Sequence, residues 1–195
     1  MFKKVLGYIV AIVGLAIVIV LVMAAMKPSA FKVQREADIA APPATVFALI
    51  NDFHAWPGWS PWEKLDPNMK RTLDGPPAGE GATYAWAGNE KAGEGKMTIT
   101  ESVPDAHVGL KLDFIKPFAS SNQVDFTLEP KGGGTHVTWA MTGNNNFTIK
   151  VFTVFMNMDE MIGADFDAGL ANLKTLAEQQ APADAAADTT AAQPS

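Results

Sequence analysis

The chain of 195 residues contains no cysteine. That excludes a disulfide framework, a thiolate zinc site and a thiol nucleophile, and it leaves the redox compartment open. Histidine is scarce as well: His54, His107 and His136 are the full set, and no two have metal-ligand spacing. No metal site is therefore expected, and no cofactor. Basic residues are outnumbered, 15 Lys and Arg against 21 Asp and Glu, for a net charge of -6. Lys3 and Lys4 precede an uncharged run, so the remainder from residue 27 carries 13 basic against 21 acidic side chains. An acidic domain without a basic patch cannot release counterions from phosphates, and nucleic acid is not expected as a partner.

What is present begins with the uncharged run itself. Val5 to Met26, "VLGYIVAIVGLAIVIVLVMAAM", holds 22 residues without a charge. At 1.5 Å per residue it reaches about 33 Å, enough for a hydrocarbon core of about 30 Å. A cleaved signal peptide would have an apolar region of about 7–15 residues, and this one is longer. The segment reads as an uncleaved anchor. The expected organisation is a short basic tail (1–4), a transmembrane helix (5–26), a linker (27–30), one domain (31–179) and a disordered tail (180–195). The tail is Ala-, Pro- and Thr-rich and has no large apolar residue. Lys3, Lys4 and the amino terminus favour a cytoplasmic N-terminus, against Lys27, Lys32 and Arg35 on the far side. The expected location is a single-pass membrane protein with its domain on the non-cytoplasmic side.

The domain opens on a strand in which Phe31, Val33, Ala37 and Ile39 alternate with polar residues. "APPATVFALIND" follows, with two prolines at a helix start and Val46, Phe47 and Ile50 at helical spacing. From Met69 to Met141 the period is two. Tyr84 with Trp86, Met97 with Ile99, Val108 to Phe114, Val124 to Leu128 and Val137 to Met141 each define one apolar face. Gly, Pro, Asn and Asp clusters separate these runs. "AGEG" occurs at 78–81 and again at 92–95, each copy leading into a strand. With no following helix or Lys-Ser/Thr, both copies read as turns and not as phosphate loops. From Val151 to Leu176 apolar residues recur every three or four positions, the pattern of one long helix. Segregated strands and helices make an α+β fold in which helices cover one face of a curved antiparallel sheet.

One segment stands apart. "HAWPGWSPWEKLDP", His54 to Pro67, packs three of the five tryptophans into seven residues between prolines. It reads first as a plug for one end of the sheet–helix gap, since each buried ring removes about 150–250 Å² from water. A pocket rim and a membrane-interface belt are the alternatives.

"I-x-A-P-P-x-x-V-F-x-L-I-x-D" followed by "W-P-x-W-S-P-W", supported by "GATYAWAG", "KMTITES" and "DFDAGLANLK", resembles the START-like (SRPBCC) superfamily, the polyketide cyclase/dehydrase-like proteins. The resemblance spans about residues 32–178. It implies a helix-grip fold, a curved antiparallel sheet wrapped around a long C-terminal helix with a cavity between them. Its members bind sterols, lipids, quinones, plant hormones or aromatic polyketides, and a minority catalyse cyclisation or hydroxylation.

No catalytic constellation is visible beside that resemblance. Ser60 has no nucleophile-elbow pattern and is expected to cap the turn at Pro61–Trp62. Asp113 and Asp125 fall opposite the apolar strand face and should be solvated. Asp159 and Glu160 are the cavity acids the pattern allows, although a solvated helix edge suits them better. The chain therefore reads as a binder of a hydrophobic small molecule (lipid, quinone or polycyclic aromatic) more than as an enzyme. A polyketide cyclase-like enzyme and a protein-interaction module without a cavity are the alternatives. Expected lining residues are Trp59 and Trp62 from the tryptophan segment, and Trp86, Phe114, Phe126 and Trp139 from the strands. Phe155, Met158, Met161 and Ile162 are expected from the helix, where methionine suits an adaptable apolar wall.

Overall fold

The computed structural model describes residues 2–181. Most of the tail expected over 180–195 lies outside the described residues. The elements follow in order: α1 (Phe2–Met26), β1 (Ala30–Ile39), α2 (Pro43–Asn51), two 3₁₀ turns (Trp56–Gly58 and Pro61–Lys64), then six strands. These are β2 (Lys70–Asp74), β3 (Thr83–Ala87), β4 (Glu94–Val103), β5 (His107–Lys116), β6 (Ser120–Lys131) and β7 (Gly134–Asn144). Two helices end the domain, α3 (Phe147–Phe152) and α4 (Met158–Gln180).

The seven strands form one sheet in the order β1-β7-β6-β5-β4-β3-β2, antiparallel throughout. Register breaks in β4 at Glu94/Gly95 and Ile99/Glu101 bend it, as an extra residue in one strand must. The concave face carries the alternating apolar set, including Val108, Leu110, Val124, Phe126, Val137 and Trp139, all buried. This is the helix-grip arrangement, α+β, with α4 lying across the sheet and packing on β1.

α4 turns its buried stripe inward: Gly163, Phe166, Gly169, Leu170, Leu173 and Ala177 repeat at three and four residues. Gly169 matters for the approach, because a Cβ there would stand 2.7 Å from Trp139 Cζ3. On β1 the inward-facing run Val33, Arg35, Ala37 is broken by charge. The Arg35 guanidinium lies under Gly163 and reaches two α4 carboxylates, Asp159 (Nη1, 3.1 Å) and Asp167 (Nε, 3.3 Å). These carboxylates hold the Arg35 pKa above its ordinary value.

The tryptophan segment finishes α2. Carbonyls in the last turn of a helix have no intrahelical partner. Trp56 Nε1 donates to the Ile50 carbonyl at 2.9 Å and Trp59 Nε1 to that of Leu49 at 3.1 Å. Both rings are buried against Phe126, edge to face. They plug the end of the sheet–helix gap, and neither sits on a surface.

The single helix expected from Val151 to Leu176 is two helices. α3 starts on an Asn146 cap and α4 on an Asn157 cap, each side chain accepting from a backbone N–H of the helix it opens. The apolar spacing runs on through the break at 153–157, which is why periodicity alone joined the two.

α1 is long and apolar enough to cross a membrane, and nearly all of it is exposed. Its last turn meets α3.

Candidate functional site

A cavity of about 300 Å³ lies between the concave sheet face and α4. Strands β3 and β5 supply Tyr84, Trp86 and Phe114, β7 supplies Trp139 and Met141, and α4 supplies Met158, Ile162 and Phe166. Trp62 of the second 3₁₀ turn crosses both Trp139 and Phe166 edge to face, with centroids 5.6 and 6.1 Å away. Trp139 is stacked on Phe166 at 4.1 Å and on Phe126 at 4.8 Å, so its ring is clamped between helix and sheet. At the other side Trp86 meets Phe114 edge to face at 5.8 Å. Its Nε1 donates to the Ala92 carbonyl at 2.9 Å, and Gly95 leaves the space its ring occupies.

Six of the ten residues expected in the lining are in this wall: Trp62, Trp86, Phe114, Trp139, Met158 and Ile162. The other four are elsewhere. Trp59 and Phe126 are packed in the solid core behind the wall, because Trp59 is drawn to the α2 carboxyl end and Phe126 is covered by Trp59 and Trp139. Met161 is 54% exposed, one position off the inward α4 stripe that carries Ile162. Phe155 is 72% exposed, since it falls in the break between α3 and α4.

The acids also differ from expectation. Asp159 and Glu160 are exposed, with Asp159 engaged by Arg35. Two carboxylates line the cavity: Asp165 on α4, which is half-buried, and Glu63, whose side chain is only 7% exposed. Tyr84 Oη donates to Glu63 Oε1 at 2.5 Å and Arg71 Nε to Glu63 Oε2 at 2.6 Å. Arg71 Nη2 adds a bond to the Glu63 carbonyl at 3.1 Å. Burial, and then the Glu63 carboxylate, push the Tyr84 hydroxyl well above the ordinary tyrosine range. The neighbouring carboxylate likewise raises the Arg71 pKa. Both Glu63 oxygens are thus occupied by donors, the state of a carboxylate that fixes a wall and not of a free base.

Ser60 is in the N-cap position of the second 3₁₀ turn but makes no side-chain cap bond; it is buried and forms part of the cavity wall. Asn122 on β6 is another buried polar lining residue. Among the described residues, one buried side-chain nitrogen or oxygen has no hydrogen-bond partner, Trp139 Nε1. An orphaned buried N–H costs about 1–3 kcal/mol. Among the described residues no group of three or more His, Cys, Asp or Glu side chains could hold a metal.

Tyr84 was within reach of sequence reasoning, because it shares a strand face with Trp86. Glu63 and Arg71 carried no such signal. A charged residue after Trp62 and another on the exposed edge strand β2 look solvated until the fold brings them together.

The family described as polyketide cyclase / dehydrase and lipid transport matches residues 30–178. Among solved structures, a Thermobifida fusca protein superposes with a TM-score of 0.58 at 20% identity, covering 76% of this chain and 93% of that one. A Chromobacterium violaceum protein gives 0.56 at 16% identity, covering 75% and 96%. DynU16, from the dynemicin biosynthetic locus, gives 0.53 at 16% identity over 77% of this chain and 48% of its own. At these identities the likeness is one of fold. Among curated proteins no sequence match is found.

Proposed function

The chain belongs to the polyketide cyclase / dehydrase and lipid transport family, and from that premise we propose that it is a membrane-anchored protein that binds a hydrophobic small molecule. α1 is the anchor, residues 27–30 are the tether, and the domain from residue 31 to 179 holds the ligand on the non-cytoplasmic side. The observation that carries the reading is the cavity of about 300 Å³ walled by Trp62, Trp86, Phe114, Trp139 and Ile162. Ligand sites are concave and mostly apolar with a few polar groups, and this volume is at the small end of their range of about 300–1,000 Å³. That size suits the ring system of a quinone or a compact polycyclic better than a whole lipid. Ser60 and Asn122, the buried polar residues of the wall, favour a ligand carrying a polar group such as a carbonyl.

Binding would be driven by apolar burial at about 25 cal/mol per Å², less the cost of ordering. A bilayer concentrates such ligands beside the tethered domain. Of the two carboxylates in the wall, Glu63 and Asp165, the deeply buried one (Glu63) is engaged by Tyr84 and Arg71, which favours binding over acid–base chemistry at that position. Native mass spectrometry of the detergent-extracted full chain tests the reading. A co-purified quinone, lipid or polycyclic that leaves on Ile162→Trp supports it. An empty protein that takes up none of these from mixed micelles counts against it.

A further inference from the structure

Outside α1, the large exposed apolar side chains are concentrated at one end of the sheet. Ile115 and Phe118 flank the β5–β6 turn, Phe147 and Phe152 are on α3, and Phe155 and Met156 follow it. Phe118 and Phe152 touch, with centroids 5.5 Å apart, so the turn and α3 form one surface. The strand register puts this end beside the anchor: β1 starts at Ala30 opposite Asn144, the last residue of β7, from which the chain runs into α3.

Two amines fasten that surface to α1. Lys27 Nζ donates to the Thr153 carbonyl, and Lys150 Nζ donates to the Ala25 carbonyl at 3.3 Å. The segments also differ in charge from the rest of the domain. Residues 114–124 and 137–158 contain no Asp or Glu, although the whole chain has 21. The acids that border them are engaged: Asp159 is held by Arg35, and Glu94 pairs with Lys116 at 2.7 Å. An aromatic and methionine surface with lysines and few carboxylates, abutting the end of an apolar helix, matches the headgroup boundary of a bilayer.

Resting on the reading of α1 as a membrane-spanning helix, we propose that the α3 and β5–β6 surface is a second membrane contact that sits in the lipid interface. The same end of the fold carries the cavity residues Phe31, Ser120, Ile149 and Met158. α3 therefore separates the cavity from the bilayer, with Ile149 on the cavity side and Phe147 and Phe152 on the lipid side. The ligand would pass through this wall without crossing water.

The absence of cysteine makes the test direct, because any introduced thiol is the only one. Full-length Phe155→Cys, Phe147→Cys, Val103→Cys and Val13→Cys proteins are labelled with an environment-sensitive fluorophore in nanodiscs of mixed zwitterionic and anionic phospholipid. Labels at 155 and 147 should be blue-shifted, quenched by brominated lipid and shielded from aqueous iodide. The label at 103, on the opposite end of the sheet, should be open to iodide. Iodide quenching at 155 and 147 as strong as at 103 would overturn the proposal. Shielding from iodide without lipid quenching would also overturn it, since a protein would then cover the face. A label at 13 that is not quenched by lipid would mean that the anchor reading itself has failed.

Discussion

Trp139 and Phe166 lie face to face, their ring centroids 4.1 Å apart and their planes within 7°. This contact joins strand β7 to α4 and also forms one corner of the cavity. Stability and site are therefore coupled at one pair of rings. Phe166→Ala should cost about 3–5 kcal/mol, the range for truncating a buried aromatic. Denaturant unfolding of the detergent-solubilised protein would measure it, and a loss below about 1 kcal/mol would mean that the helix is held elsewhere.

Gly169→Ala tests the closeness of the same contact. In an open helix the change would stabilise by about 1 kcal/mol through propensity. Here the new Cβ meets Trp139 Cζ3 at 2.7 Å and Pro61 Cδ at 3.2 Å. Overpacking of about 1–3 kcal/mol should win, so the variant is expected to unfold at lower denaturant concentration.

Trp56→Phe and Trp59→Phe each remove an indole donor from a carbonyl at the end of α2. Each should cost about 1–3 kcal/mol for the orphaned buried carbonyl, beyond the smaller ring. Faster hydrogen exchange confined to 43–51 would identify the loss as one of helix capping.

The Tyr84 hydroxyl titrates above its unfolded value of about 10, because burial and Glu63 both disfavour the phenolate. A raised acid pKa in the folded state contributes stability that is complete below pH about 10 and is lost as pH rises toward the folded value. Glu63→Gln should lower the Tyr84 midpoint without returning it to 10, since burial is the larger cause. Tyrosinate absorbance reads this, against Tyr8 as the chain's other tyrosine. An unchanged midpoint would separate Glu63 from Tyr84.

Trp139→Phe removes the unpartnered donor while keeping an aromatic ring in the wall. Loss of an orphaned N–H relieves about 1–3 kcal/mol of desolvation, which offsets the smaller ring, so the unfolding midpoint should fall less than for Phe166→Ala. Denaturant unfolding of both variants measures this, and a loss as large as that of Phe166→Ala would mean that Nε1 has a partner.

Much of this protein is legible from one dimension. Period-two alternation reports which strand face is covered, and the 163–177 stripe of α4 reports its inward side, because both patterns follow from backbone geometry and water exclusion. The uncharged run to Met26 is equally local. Strand register, the break at 153–157 and the depth of each ring are not, because they depend on partners far away in sequence. Trp59 and Trp62 are three residues apart and equally apolar. One is drawn into the core by the Leu49 carbonyl and the other is left on the cavity wall. Glu63 looks solvated beside them and is buried because Arg71 from β2 and Tyr84 from β3 converge on it. Local pattern determined which residues leave water, and only tertiary packing decided which of them surround a space and which fill it.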